Sequence, residues 1–314
     1  MSSEELRPEE FAQAADAAIT DALSHNDPHD QAAVLAQAGL CGVMADEADG
    51  GLGLDLAFAL PIAHAAGRLQ LPLPLAEQML LARAFAGTPQ AAALAAGERL
   101  AGIAWQGTLQ SGSVRLDHGP ADWVLVADDQ GAALVDVSAA TCDAQAALDP
   151  DHPQRWLTLE GAPVLARLDA AAFEAVRRQA QLLLAEFANG AAEGALQMAA
   201  SYMATRVQFG RPLSAKQAVR HLLARMRLLQ DVSSAVIRRA MHADEFGAPR
   251  DTRPALAGAI AHAAFVIEKA IHLHGGMGFT WELPLHPALR AVRKLDAAFN
   301  GLSRQTGRDF IQSV

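Results

Sequence analysis

Cysteine is scarce in this chain. Cys41 and Cys142 are the whole supply, and without a CxxC pair they build neither a disulfide framework nor a thiolate metal site. Each reads as a small buried hydrophobe. Aromatics are thin too, at 5% with a single tyrosine, and with alanine abundant the expected theme is close packing of helix on helix. Positive charge is in deficit: 25 Lys and Arg against 35 Asp and Glu give a formal net charge of −10. That balance leaves no basic field for nucleic acid or an anionic membrane surface, and only local cationic pockets. Neither a nucleic acid nor a membrane partner is expected. The opening MSSEELRPEEF lacks the basic and apolar regions of a signal peptide, and no uninterrupted apolar run looks long enough to cross a bilayer. The expectation is a soluble, cytoplasmic protein.

The 314 residues suffice for a full core and two or three structural units. Over residues 1–97 apolar side chains recur at helical spacing, interrupted by SHNDPHD at 24–30, DGGLG at 49–53 and LPLP at 71–74, which predicts a helical domain. Residues 98–169 change to short alternating or β-branched runs, LAGIAW, SVRLD, DWVLVAD, GAALVDV and RWLTLEG, so a small β domain is expected there. From 170 to 314 long helical patterns return at 170–206, 213–246, 252–274 and 286 to the end. Four such helices with short connections predict a bundle, and the fold class is mainly α with a small β domain.

The segment YMATRVQFGRPLSAKQAVRH, residues 202–221, joins two of those helices through a turn carrying a cation, an amide and an aromatic ring. Arg206 closes the first helix, where its charge favours the negative end of the dipole and its guanidinium fork suits a pyrophosphate. Gly210 permits a positive-φ turn and Pro212 starts the next segment. As purely local structure the segment is a helix stop, with Phe209 a core plug and Arg206 a dipole cap. A second segment, IHLHGGMGFTWELP at 271–284, places adjacent glycines after an apolar helix, where backbone amides can approach a phosphate or a ring.

Together, Arg-x-Gln-Phe-Gly-x-Pro-Leu with Gln217 and Gly-Gly-x-Gly-Phe-x-x-Glu-x-Pro, two helices apart, resemble the C-terminal domain of the acyl-CoA dehydrogenase family. A weaker echo of the family's N-terminal helical domain lies at LAQAGLCGVMADEADGGLGL, residues 35–54. The resemblance implies an N-terminal helical domain, a middle β domain and a C-terminal four-helix bundle. It implies FAD as cofactor, bound by Arg206, Gln208, Phe209, Gln217, Gly275 and Gly276. His272 stands where the family usually shows a glutamine, and an imidazole can donate one similar hydrogen bond. The middle domain here is short for the family and lacks its threonine-, serine- and tryptophan-bearing flavin loops. Trp105 and Trp123 therefore read as core residues of the reduced sheet.

Dehydrogenation of an acyl-CoA needs a carboxylate to take the α-proton while a β-hydride goes to the flavin. The resemblance offers two positions for that carboxylate. One falls at Phe299, or Asn300 with one insertion, and the other at Ala180, followed by Gln181; none of these residues is an acid. No catalytic residue is expected. Asp296, three residues before Phe299, reads as a surface charge pairing with Arg293 or Lys294, Glu186 and Glu193 as structural or interface residues, and Glu282 as a structural residue with an arginine such as Arg290 for partner. His221, His262, His272 and His274 lack HExxH spacing, thiolates and clustered carboxylates, so no metal site is expected.

The resemblance is then to the smaller, non-catalytic partner of a heteromeric acyl-CoA dehydrogenase acting on bulky esters such as steroid side-chain CoA thioesters. Its FAD would be shared with a larger subunit, in a heterotetramer. Two other readings stand: a self-sufficient homo-oligomeric dehydrogenase using Asp296 or an unrecognised acid, and a flavin-free scaffold.

Overall fold

The structure is a computed structural model that describes residues 7–116, 119–144 and 155–305. The chain forms two compact units, one from residues 1–66 and 71–183, the other from 67–70 and 184–314.

In the first unit proline opens three helices, and at two of them a capping side chain coincides with it. Helix α1 (Pro8–Ala22) opens on proline, as do α2 (Pro28–Gln37) and, further on, α5 (Pro89–Ala95). Asp27 caps α2 by accepting from the His29 and Asp30 amides, and Thr88 caps α5 through the Ala91 amide. Between them run α3 (Leu56–Leu69) and α4 (Leu75–Ala84). The loop before α3 depends on Gly51, whose place leaves no room for a Cβ: one would stand 2.1 Å from the Ala45 carbonyl oxygen.

Among the described residues eight strands follow: β1 (Ala101–Ile103), β2 (Gln106–Thr108), β3 (Ser113–Leu116), β4 (Trp123–Ala127), β5 (Gly131–Asp136), β6 (Thr141–Ala144), β7 (Arg155–Thr158) and β8 (Val164–Asp169). They make two four-stranded sheets, ordered β1-β4-β5-β8 and β2-β3-β7-β6. Alternate residues of both sheets, among them Val114, Leu116, Val124, Val126, Val135 and Leu157, share one buried cluster. Strands β2, β6 and β8 extend the sequence reading.

Helix α4 closes the outer edge of β1 with side chains instead of a strand. Glu77 accepts from the Ile103 amide at 3.2 Å and from Trp105 Nε1 at 2.9 Å, and Gln78 accepts from the Ala101 amide at 3.4 Å. Trp123 is buried as expected, whereas Trp105 is only half-buried and is held by this carboxylate. Cys41 is buried, which pushes its thiol up to about 12, but Cys142 is exposed on β6 and corrects the expectation for that residue.

In the second unit, α6 (Ala170–Thr205), which starts in the first, is followed by a hairpin of β9 (Val207–Gln208) and β10 (Arg211–Pro212). Helices α7 (Gln217–Met241), α8 (Arg253–His274) and α9 (Leu285–Ala298) complete it. The end of α3 approaches α6 so closely that glycine is required on both: a Cβ on Gly67 would lie 1.9 Å from the Phe187 carbonyl oxygen, and one on Gly194 2.8 Å from that of Arg68. Helix α7 is shorter than its periodicity, because Lys216 is extended before it and His242 after it. Helix α9 stops at Ala298, where Asn300 and Gly301 turn left-handed at φ 57° and 72°.

The stretch Arg253–Phe279, built on α8, does reach the length and composition of a membrane span, with mean hydropathy 1.4, contrary to the sequence reading. Its apolar residues have a different use. Leu256, Ile260, Val266, Ile267 and Ile271 are buried in the bundle, so α8 is apolar all round because it is the core helix of this unit.

Candidate functional site

The amide of Arg206 donates to the Tyr202 carbonyl at 2.9 Å, ending α6, and the chain reverses at once in the hairpin, with Gln208 opposite Arg211. Both turn residues have positive φ, Phe209 at 55° and Gly210 at 76°, as a two-residue type I′ turn demands. Glycine accepts this freely. Phenylalanine does so at a cost of roughly 1–2 kcal/mol.

Phe209 is nevertheless 89% exposed, with Lys216 Nζ 4.5 Å from its ring centre, so it is no core plug. Arg206, Gln208 and Gln217 are exposed beside it in sequence, and the Arg206 guanidinium meets no carboxylate among the described residues. Gln217 opens α7.

Beyond α8 the chain folds back through a short 3-10 turn, Gly275–Phe279. Gly278 is the glycine that packing requires, since a Cβ there would lie 2.3 Å from the Ile271 carbonyl oxygen. Gly275, at φ 63°, and Gly276 are exposed, and a Cβ on either would meet nothing within 4 Å. Their open side leaves backbone for a ligand to approach. His272 is exposed on the last turn of α8.

His274 turns inward. It is 6% exposed, its Nδ1 stands 2.8 Å from the Ala270 carbonyl oxygen, and its ring stacks on Tyr202 at 4.7 Å and 15°. That stack ties the end of α6 to the start of the glycine turn and so brings the two sequence segments together. It floors an open cleft of about 400 Å³ lined also by Met198, Ser201, Met277 and Leu283. The sequence reading missed this role for Tyr202, although the chain's only tyrosine opening the 202–221 segment was the available signal.

The carboxylates lie elsewhere than expected. Asp296 is no surface charge: it is 5% exposed and accepts from the Ser303 amide at 3.1 Å and the Ser303 hydroxyl at 3.0 Å. Arg293, one of its two expected partners, pairs instead with Glu268 at 2.5 Å. Phe299 is half-buried at the C-terminal cap of α9, Asn300 follows in the left-handed conformation, and Ala180 and Gln181 are buried on α6.

Glu282 is exposed and does not pair with Arg290, whose guanidinium lies 4.9 Å from the Trp281 ring centre. Glu186 is buried, and Glu193 stands 4.0 Å from Arg227. Among the described residues, no group of three His, Cys, Asp or Glu is disposed to hold a metal ion.

His262 belongs to the bundle instead. Its Nδ1 stands 2.9 Å from Ser233 Oγ, which also donates to the Leu229 carbonyl at 3.0 Å, and burial lowers its pKa below 6.5 against a smaller opposing pull from the Leu229 backbone. The unfolded chain therefore takes up this proton first as pH falls. The stability carried by the neutral ring is complete above the unfolded pKa and is lost as pH falls through the folded one. Melting temperature is expected to drop on acidification from about pH 7.5 to about pH 5, and His262→Gln to flatten that slope; an unchanged slope would discount the ring.

Comparison with known proteins places the chain among relatives. Residues 175–301 match the family described as acyl-CoA dehydrogenase, C-terminal domain. The chain is 30% identical over 292 residues to acyl-CoA dehydrogenase IpdE2 of Mycobacterium tuberculosis, covering 86% of this chain and 83% of that one. It is 33% identical over 287 residues to acyl-CoA dehydrogenase FadE34 of the same organism, again over 86% of this chain, but spans only 40% of that protein's length. The solved structure of the Tcur3481-Tcur3483 steroid ACAD, G363A variant, superposes with a TM-score of 0.79 at 27% identity, over 98% of each chain. With the fold, the two joined segments and a relative matched over most of its length in agreement, the chain belongs to the acyl-CoA dehydrogenase family.

Proposed function

We propose that this chain is the smaller, non-catalytic subunit of a heteromeric acyl-CoA dehydrogenase, and that it completes a FAD site whose other half lies on a larger subunit. The observation that carries the proposal is Phe209: an aromatic ring held at a strained φ of 55° and left 89% exposed is a costly placement that the Lys216 ammonium, 4.5 Å from the ring centre, offsets only in part. A flat ligand brought by a neighbour gives the ring a further partner. Arg206, unpaired among the described residues, and the open backbone of Gly275 and Gly276 fit a pyrophosphate, while Gln208, Gln217 and His272 offer hydrogen bonds beside it.

Bound FAD supplies the hydride acceptor for α,β-dehydrogenation of an acyl-CoA thioester. This chain's part is to bind and orient, because neither position that the family uses for its base holds an acid here and the Asp296 carboxylate is engaged by Ser303. The pairing of two chains in the Tcur3481-Tcur3483 steroid ACAD supports the heteromeric assignment, and a bulky acyl group such as a steroid side chain is the proposed substrate class.

The test is colour. Purified alone the chain should lack the flavin band near about 450 nm, and co-expressed with a larger acyl-CoA dehydrogenase subunit it should copurify as a yellow, active complex. A yellow, active protein purified alone overturns the proposal in favour of a self-sufficient enzyme. A colourless copurified complex favours the scaffold.

A further inference from the structure

Helix α7 turns an unusual stripe to solvent. Leu228, Val232 and Val236, at successive steps of four, are 60%, 40% and 39% exposed. A step of four residues advances only about 40° around a helix, so the three make one continuous patch. Arg225 and Arg239, both exposed, lie seven residues before and after Val232, two turns away on the same stripe. Neither meets a carboxylate among the described residues, and the Arg225 guanidinium is held 4.7 Å from the Phe265 ring centre. Toward the start of the helix the stripe runs on through His221 to Gln217.

From this pattern we infer that the stripe is the docking face for the larger subunit, and that its two arginines select that subunit over a second copy of this chain. The inference rests on the proposed function, because a neighbour that presents a ligand to Gln217 lies over the same side of α7. It adds the chemistry of that neighbour: an apolar centre with carboxylates about two helical turns to either side.

Self-pairing centred on this stripe is disfavoured by symmetry. A two-fold antiparallel contact centred on Val232 sets each Arg225 against the other copy's Arg239, and a parallel one sets Arg225 against Arg225 and Arg239 against Arg239. In both cases like charges oppose each other twice as the apolar centre desolvates, which is how an interface rejects a wrong partner.

Two measurements test the inference. In the first, Val232→Asp or the double change Arg225→Glu/Arg239→Glu should abolish copurification with a tagged larger subunit, while Phe246→Asp, an exposed apolar residue off the stripe, leaves it intact; copurification that survives the α7 changes overturns the inference. The second needs no partner. At low salt the double variant should associate with the wild-type chain in sedimentation, the mixture gaining a heavier species that neither chain forms alone.

That species should weaken about tenfold or more on going from about 0.05 to about 0.5 M salt, and should vanish with Val232→Asp. A wild-type assembly that Val232→Asp dissolves, or a mixture that never associates, overturns the inference. Because neither measurement reads flavin, failure here leaves the shared-FAD proposal standing, and a colourless complex leaves this one standing.

Discussion

Asp296→Asn is expected to leave the dehydrogenase activity of the proposed complex within about twofold of wild type, whereas removing the carboxylate base proposed for the larger subunit should lower it by about two to four orders of magnitude. The asymmetry follows from where Asp296 sits. Its two oxygens are occupied by the amide and hydroxyl of Ser303, so the carboxylate fastens the turn after α9. Asparagine keeps one acceptor in the same place and preserves most of that turn. Alanine keeps none, and Asp296→Ala should cost about 1.5–3 kcal/mol in a denaturation experiment through loss of hydrogen bonds to a charged group. Activity that collapses in the Asn variant, with fold and flavin content intact, would make this chain an enzyme in its own right.

The elements that local chemistry specifies were readable from the sequence. Proline and a capping residue announce α2 and α5, Gly210 and Pro212 announce the reversal after α6, and the paired glycines announce the turn after α8. What the sequence did not reveal depends on contacts between distant residues. Phe209 reads as a core plug on hydrophobicity alone, because only the hairpin register shows that its φ is positive and its ring faces solvent. Asp296 reads as a surface acid near two cations until the turn to Ser303 buries it. The enclosure of α8 is likewise tertiary: composition cannot distinguish a core helix from a membrane span. Within the candidate site, adjacency in sequence marked Arg206, Gln208 and Phe209, but the Tyr202–His274 stack that joins the two segments is a contact across 72 residues of chain, 274 minus 202, and no periodicity predicts it.

Arg206→Ala should reduce flavin retention by the copurified complex by roughly tenfold to a hundredfold, about 1.5–3 kcal/mol, the usual range for a hydrogen bond to a charged group. The expected cost to the fold is much smaller. Arg206 is exposed just past the end of α6, so the alternative reading, a cation set against the helix dipole, allows a stability loss of only about 0.3–1 kcal/mol and no change in flavin content. The two readings therefore part on which measurement moves. Phe209→Gly sharpens the contrast, because it removes the aromatic ring and also relieves a left-handed non-glycine residue in the type I′ turn. That variant should melt at the same temperature as wild type or higher, yet hold flavin more weakly. A ring present only for the fold would give the opposite pair of results, a lower melting temperature with flavin content unchanged, and the shared-site proposal would fall with it.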